Sequence, residues 1–292
     1  MRETARVTRL LHQPLWIVWH PHQKLWNWRL VEALSRVPGG RFVASGILTI
    51  DTLLLWVRVV SRRARRIGAR TVVVDKRALP TEALYIDCGV HREGVQIQSM
   101  TNWFSPLLRL WTIGFEASPE SYPVARSSLT AVPNLDLRQQ ALVGPAFGSD
   151  LVRLYRAGGD GKGDSLFAER GDAYDDVPAV RLSSVMQRFL DDHGPMPIIL
   201  RMNIEGAELF VVEDLIAAGM TKMIAGYYGM WDDLSKIDVR RDREFRRLLR
   251  MHSIATLTFN DRDSEVPLRL SAIRYDIVTS LIAGTRAHVT GK

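Results

Sequence analysis

From Glu82 onward the chain alternates short apolar runs with stretches of helical periodicity, and that alternation leaves few folds open. A compact apolar run suits a strand covered on both faces, and a helix between successive runs is what a parallel crossover needs. Ala83–Cys88 (ALYIDC) reads as the first strand, residues 94–108 as a helix with Pro106 near its end, and Thr112–Glu116 as the second strand. Pro119 opens a helix at a position where its missing N–H costs nothing. Leu135–Val143 is a third strand, and residues 144–176 form an inserted glycine- and aspartate-rich loop with a strand-like LVRLYR. Pro197–Met202 (PIILRM) is the most apolar strand, followed by a helix at Ala207–Ala218 that Gly219 closes. Met223–Gly226 continues the pattern, and a charged helix runs from about Asp232 to Met251. Two last strands, Ile254–Phe259 and Leu270–Val278, have no long helix between them and suggest an antiparallel edge pair. The expected fold class is α/β, a mostly parallel sheet with helices on both faces.

A chain of 292 residues, 46% apolar, can bury one large core plus an appendage. Its single cysteine forms no internal disulfide and supplies no cysteine zinc cluster, so a reducing, cytoplasmic setting is expected. The net charge of +7 is unevenly spread. Residues 1–80 carry fifteen basic and four acidic side chains, and residues 81–292 carry a small acidic excess, which argues against nucleic acid as the partner. Trp16, Trp19, Trp26, Trp28 and Trp56 also fall early. The run Ile47–Val60 is too short and too charged to span a bilayer, and Arg62, Arg63, Arg65 and Arg66 follow it. Tryptophans beside an arginine cluster are the pattern of a segment lying on an anionic membrane surface, and equally of an extension packed on the main domain with solvated arginines. Two regions follow: 1–80, basic and Trp-rich, and 81–292, the α/β domain.

In an open α/β sheet, ligands bind beyond the carboxyl ends of the strands where strand order reverses. The first βα loop there reads Asp87-Cys88-Gly89-Val90-His91-Arg92-Glu93-Gly94, an acid at the strand end and two turn glycines. The second strand ends in Glu116, where a carboxylate can accept both hydroxyls of a ribose. The bland alternative is an acidic strand cap plus turn glycines. The loop lacks the three-glycine dinucleotide spacing, and His91, Arg92 and Glu93 are bulky where a pyrophosphate needs bare backbone. A phosphate-free adenosine ligand such as S-adenosylmethionine suits it better.

Residues 201–209 read Arg-Met-Asn-Ile-Glu-Gly-Ala-Glu-Leu, at the junction of the most apolar strand and its helix. This stretch resembles the K-x-D-x-E-G-x-E signature of the FkbM-like family of S-adenosylmethionine-dependent methyltransferases. YIDCG at 85–89, FEASPESY at 115–122, LYRAGGDGKGDSL at 154–166 and VRLSSVM at 180–186 resemble further segments of that family in the same order, over roughly residues 82–260. The resemblance implies a Rossmann-like class I methyltransferase fold. It implies S-adenosylmethionine as cofactor, held by Asp87, Gly89, Gly94, Glu116 and Asn203, and O-methylation of a sugar, glycolipid, polysaccharide or polyketide-type acceptor. The sequence departs from the pattern at Arg201 for lysine, Asn203 for aspartate, and Val90-His91 for Ala-Asn. These departures keep open a second expectation, a degenerate methyltransferase fold serving as a membrane-associated binding or scaffold module.

Methyl transfer to a hydroxyl needs a base for the alcohol proton, and Glu205, Glu208 and His91 are the candidates. Two acids near a helix N-terminus also favour the positive end of its dipole by about 0.3–1 kcal/mol, a structural use that competes with catalysis. Tyr227 and Tyr228 are candidates for an acceptor pocket or for core aromatics. No metal site is expected: residues 158–165 lack the context of a phosphate loop and the ligands of a calcium loop, and His12, His20 and His22 lack partners.

Overall fold

The computed structural model describes residues 79–157, 163–170, 172–260 and 267–290, with scattered positions between 37 and 57. The chain divides into two units, residues 1–70 with 262–273 and residues 71–261 with 274–292. Most of the first unit, and with it the proposed membrane-surface segment, lies outside the described residues. Among the described residues no helix is long and apolar enough to cross a membrane.

The second unit is built on a six-stranded sheet of β1 (Glu82–Cys88), β2 (Arg109–Phe115), β3 (Leu135–Arg138), β7 (Ile198–Met202), β8 (Ile224–Gly229) and β9 (Thr256–Leu257). The strand order is β3-β2-β1-β7-β8-β9, and every pairing is parallel. Order reverses on either side of β1, so the crevice between the ends of β1 and β7 is the switch point. This is the expected α/β, Rossmann-like architecture. Crossover helices α1 (Val95–Phe104), α2 (Ser121–Ser128), α3 (Leu182–His193) and α4 (Glu208–Ala217) precede α5 (Asp233–Ile237), α6 (Val239–Met251) and α7 (Pro267–Thr290).

Three local expectations are corrected. The antiparallel edge pair is absent, because β9 runs parallel to β8 and residues 270–278 are helical within α7. The buried residues Ile277, Val278, Leu281 and Ile282 recur at helical spacing, a period that a nine-residue window read as one apolar run conceals. The third strand breaks after Arg138, and Ala141–Leu142 becomes β4 of a separate sheet with β5 (Leu151–Tyr155) and β6 (Tyr174–Val180), order β4-β6-β5. The insert therefore carries structure of its own, around Ala141, Leu154 and Val177. The charged helix is two helices, since extended Asp238 accepts from the backbone N–H groups of Arg240 and Arg241 and starts α6 afresh.

The sheet's two faces differ in chemistry. Leu84, Ile86 and Cys88 of β1 join Ile113, Phe115, Ile198, Leu200 and Met202 in one apolar cluster with α3, α4 and Phe245 of α6. The opposite face carries Tyr85 and Asp87, with Arg201 in register beside Asp87 on β7. The Arg201 Nη1 donates to Asp87 Oδ1 at 2.5 Å and to the Gly89 carbonyl at 3.1 Å, and Tyr85 donates its hydroxyl to Asp87 Oδ2 at 3.1 Å. Arg201 is 1% exposed and Asp87 fully buried. Removing one member of such a pair strands the other charge, at about 3–5 kcal/mol. Arg201→Met is expected to lose stability on that scale in urea unfolding, and adding Asp87→Asn, which keeps an acceptor for Tyr85, to recover at least half of the loss.

Candidate functional site

The loop after β1 is held from both sides. The N–H groups of Gly89 and Val90 both donate to the Phe115 carbonyl at the end of β2, at 2.9 and 3.1 Å. Gly89 has φ +90°, and a Cβ there would stand 2.0 Å from the Asn203 carbonyl oxygen, so the glycine is what lets the loops after β1 and β7 touch. His91 adopts the left-handed conformation, φ 59°, and its N–H donates to Glu116 Oε2 at 2.6 Å. The Ser118 N–H donates to Glu116 Oε1 at 2.9 Å. Glu116 is thereby a clasp between the loops after β1 and β2. It is 8% exposed, and burial, outweighing the two N–H donors, pushes its carboxyl up to about 7. Gly94 precedes α1 at φ 58°, with the Leu129 side chain in the space that a Cβ would fill.

The loop after β7 is organised by its own acid. Asn203, half-buried, donates its N–H to the Cys88 carbonyl at 2.8 Å, and Glu205 turns the chain in the left-handed conformation, φ 52°. Glu208 sends its carboxylate back over this turn, accepting from Ile204 N–H and Gly206 N–H at 2.8 Å each. It is 2% exposed, and burial, reinforced by Asp233, pushes its carboxyl up to about 8. Glu205 stays half-buried, near the Lys236 ammonium that pairs with Asp233 at 2.6 Å.

The predicted residues thus gather at the ends of β1, β2 and β7, with different roles. Asp87 faces Arg201 beneath the loop, Gly89 and Gly94 serve close packing, and Glu116 and Glu208 satisfy backbone N–H groups. Glu205, Asn203 and His91 are the half-buried members. The two tyrosines stand apart: Tyr227 donates its hydroxyl to the Thr221 carbonyl at 2.9 Å, before β8, and Tyr228 reaches Asp276 and Ser280 of α7 at 2.8 and 3.2 Å. A cavity of about 260 Å³ lies elsewhere, against α3, lined by Trp111, Asn134, Arg138, Phe189 and His193.

The sequence marked residues 154–166 only as a resembling segment and gave its residues no role, yet residues 163–167 join the loops after β2 and β7. Ser165 donates its hydroxyl to the Glu205 carbonyl at 2.7 Å, and Phe167 packs on Gly206 and stacks with Phe210 at 5.5 Å. Asp164 accepts from the Ala157 N–H at 3.1 Å and bonds with the Ser118 side chain. Of the glycine-rich stretch, residues 158–162 lie outside the described residues. Among the described residues no group of three or more His, Cys, Asp or Glu side chains can hold a metal ion. No family model, curated protein or solved structure matches the chain.

Because the folded-state value of Glu208, about 8, lies above its ordinary 4.5, the folded form binds the proton more tightly than the unfolded chain. Its contribution to stability is complete below about pH 4.5 and is lost as pH rises through about 8. Chemical unfolding at pH 5 and pH 8.5 should show lower stability at the higher pH, and a smaller fall in Glu208→Gln. Equal falls in the two proteins would remove Glu208 as the cause.

Proposed function

We propose that residues 81–292 form an S-adenosylmethionine-dependent O-methyltransferase acting on a hydroxyl of a sugar, glycolipid, polysaccharide or polyketide-type acceptor. What supports this reading is that YIDCG, FEASPESY and RMNIEGAEL, the segments that resemble FkbM-like methyltransferases, end three adjacent strands at the reversal of strand order. Acceptor chemistry at the β2 end suits a vicinal diol. A carboxylate oxygen accepts two hydrogen bonds, and each oxygen of Glu116 takes one backbone N–H. Asp87 and Gly94 also serve the fold, Asp87 pairing with Arg201 and Gly94 packing on Leu129. Asp87, Gly89, Gly94, Glu116 and Asn203 are the residues that would hold it. The cofactor, when bound, supplies the sulfonium methyl.

Among the candidate bases, Glu205 is half-buried and sits at the left-handed turn after β7. Glu208 holds the turn that carries Glu205, which makes it a positioning residue. His91, left-handed in the first loop, is the remaining candidate. Glu205→Gln is expected to lower transfer of labelled methyl into a panel of glycan and polyketide acceptors at least about 100-fold. Glu208→Gln should act first on stability. Unchanged turnover in Glu205→Gln would move the role to His91.

A second reading, a degenerate fold serving as a membrane-associated binding or scaffold module, is favoured by one observation: His91 N–H already occupies Glu116. Calorimetry on the full chain decides. Absence of adenosylmethionine binding at millimolar concentration would favour the module.

For residues 1–80 we propose a peripheral, cytoplasmic contact with anionic lipid through their basic, Trp-rich composition. Attraction of this kind is screened over about 8 Å at physiological ionic strength. The full chain should sediment with anionic liposomes, less with neutral ones, and less at raised salt. Equal sedimentation with both would remove lipid charge from the account.

A further inference from the structure

Helix α5 rests on the turn after β7. The Ile237 Cδ1 lies 2.9 Å from where a Cβ on Gly206 would stand, so the helix packs on the residue that follows Glu205. The same helix carries Lys236, whose ammonium is fastened by two carboxylates at the helix start, Asp233 at 2.6 Å and Asp232 at 3.7 Å. Both aspartates are buried. A lysine is a point charge on a flexible stem, and a pair of buried anchors is what gives that charge one place.

Four carboxylates, Glu205, Glu208, Asp232 and Asp233, gather about this ammonium, and they are satisfied differently. Glu208, on α4, has two backbone N–H groups and, with its carboxyl pushed up to about 8, takes up its own proton near neutrality. Asp233 has the 2.6 Å ion pair, and Asp232 shares the ammonium and lies near Arg246. The two arginines of α6 that border the group are engaged elsewhere, Arg246 with Asp242 and the Trp231 carbonyl, Arg241 with Asp238 and the Phe167 ring. From the insert, Ser165 and Phe167 reach the turn and bring no charge. Glu205 acts on Lys236 itself: burial pulls the ammonium down, while Asp233, Asp232 and Glu205 outweigh it and hold the group charged.

We propose that Lys236, fastened by Asp233 and Asp232, is the positioning residue for Glu205 and supplies the counter-charge for its carboxylate. This rests on the reading given above in which Glu205 is the base, since a carboxyl group can take the acceptor's proton only in its ionised form. An opposite charge nearby favours the charged form of both partners. Water screens part of that attraction here, because the Lys236 side chain is 52% exposed, so the effect to look for is a modest one.

The test is an NMR titration of the full chain with carbon-labelled glutamate side chains, the Glu205 signal being the one that vanishes in Glu205→Gln. Lys236→Gln keeps a donor for Asp233 and removes the charge. In it the Glu205 midpoint should rise by at least about 0.5 pH unit, while Lys236→Arg should leave the midpoint where it is in the unmutated protein. Lys222→Gln, at an exposed position before β8, controls for the loss of any one positive charge and should move the midpoint less. A shift in Lys236→Gln no larger than in Lys222→Gln overturns the assignment. That outcome leaves the methyltransferase reading standing, since adenosylmethionine binding and the turnover of Glu205→Gln judge it separately. Should Lys236→Gln melt early, the coupling is read from the other partner, because it is equal in both directions. In Glu205→Gln the midpoint of Lys236, one of six lysines and assigned by its loss in Lys236→Arg, should fall by the same amount. An unchanged Lys236 midpoint overturns the assignment equally.

Discussion

The contact between Arg201 and Asp87 sits where the strand order of the sheet reverses, and the strand ends and the first loop around it are organised by it. Two charges are taken out of water there, a cost of several kcal/mol for each ion before pairing. The guanidinium recovers it by making more than one bond: to the Asp87 carboxylate, to the Gly89 carbonyl in the first loop, and to the Phe259 carbonyl beyond β9 at 3.4 Å. One side chain on β7 thus fixes β1, the loop that leaves it, and the segment past the sheet edge. Burial pushes the Asp87 carboxyl up while the guanidinium pulls it back, so the aspartate is held as part of the scaffold.

The same device recurs with single carboxylates. Glu116 takes N–H groups from His91 and Ser118, Glu208 from Ile204 and Gly206, Asp214 from Ser183, and Asp238 from Arg240 and Arg241. In each case an acid supplies acceptors to a turn or helix start whose own N–H groups have no helical or strand partner. Desolvation makes this costly for Glu116 and Glu208, whose carboxyls rise to about 7 and about 8. Loops after parallel strands are the mobile part of most α/β sheets, and here they are tied down by buried acids.

What could be read from the sequence follows from how each feature is encoded. β1, β2 and β7 were legible because an apolar run between glycine and proline punctuation is a local signal. The helical period in α7 was lost because its apolar residues fall close enough together to look like a strand over nine positions. The break after Arg138 follows from a switch between two sheets, which depends on the partner β6 some forty residues later. The candidate site was legible in position and not in role. Glu116 and Glu208 were found by spacing, yet spacing carries no record of which backbone N–H groups come within reach once the loops are packed.

The departures from the FkbM-like pattern follow the same logic. A lysine at 201 presents a compact ammonium, whereas the planar fork of Arg201 serves a carboxylate and two carbonyls at once. The β1 loop turns at His91 in the left-handed conformation, and Arg201 holds the Gly89 carbonyl at its start. An aspartate at 203 would add a charge near a group of acids, Glu205, Glu208, Asp232 and Asp233, that already gathers about Lys236. Asparagine keeps the hydrogen-bonding groups and removes that repulsion.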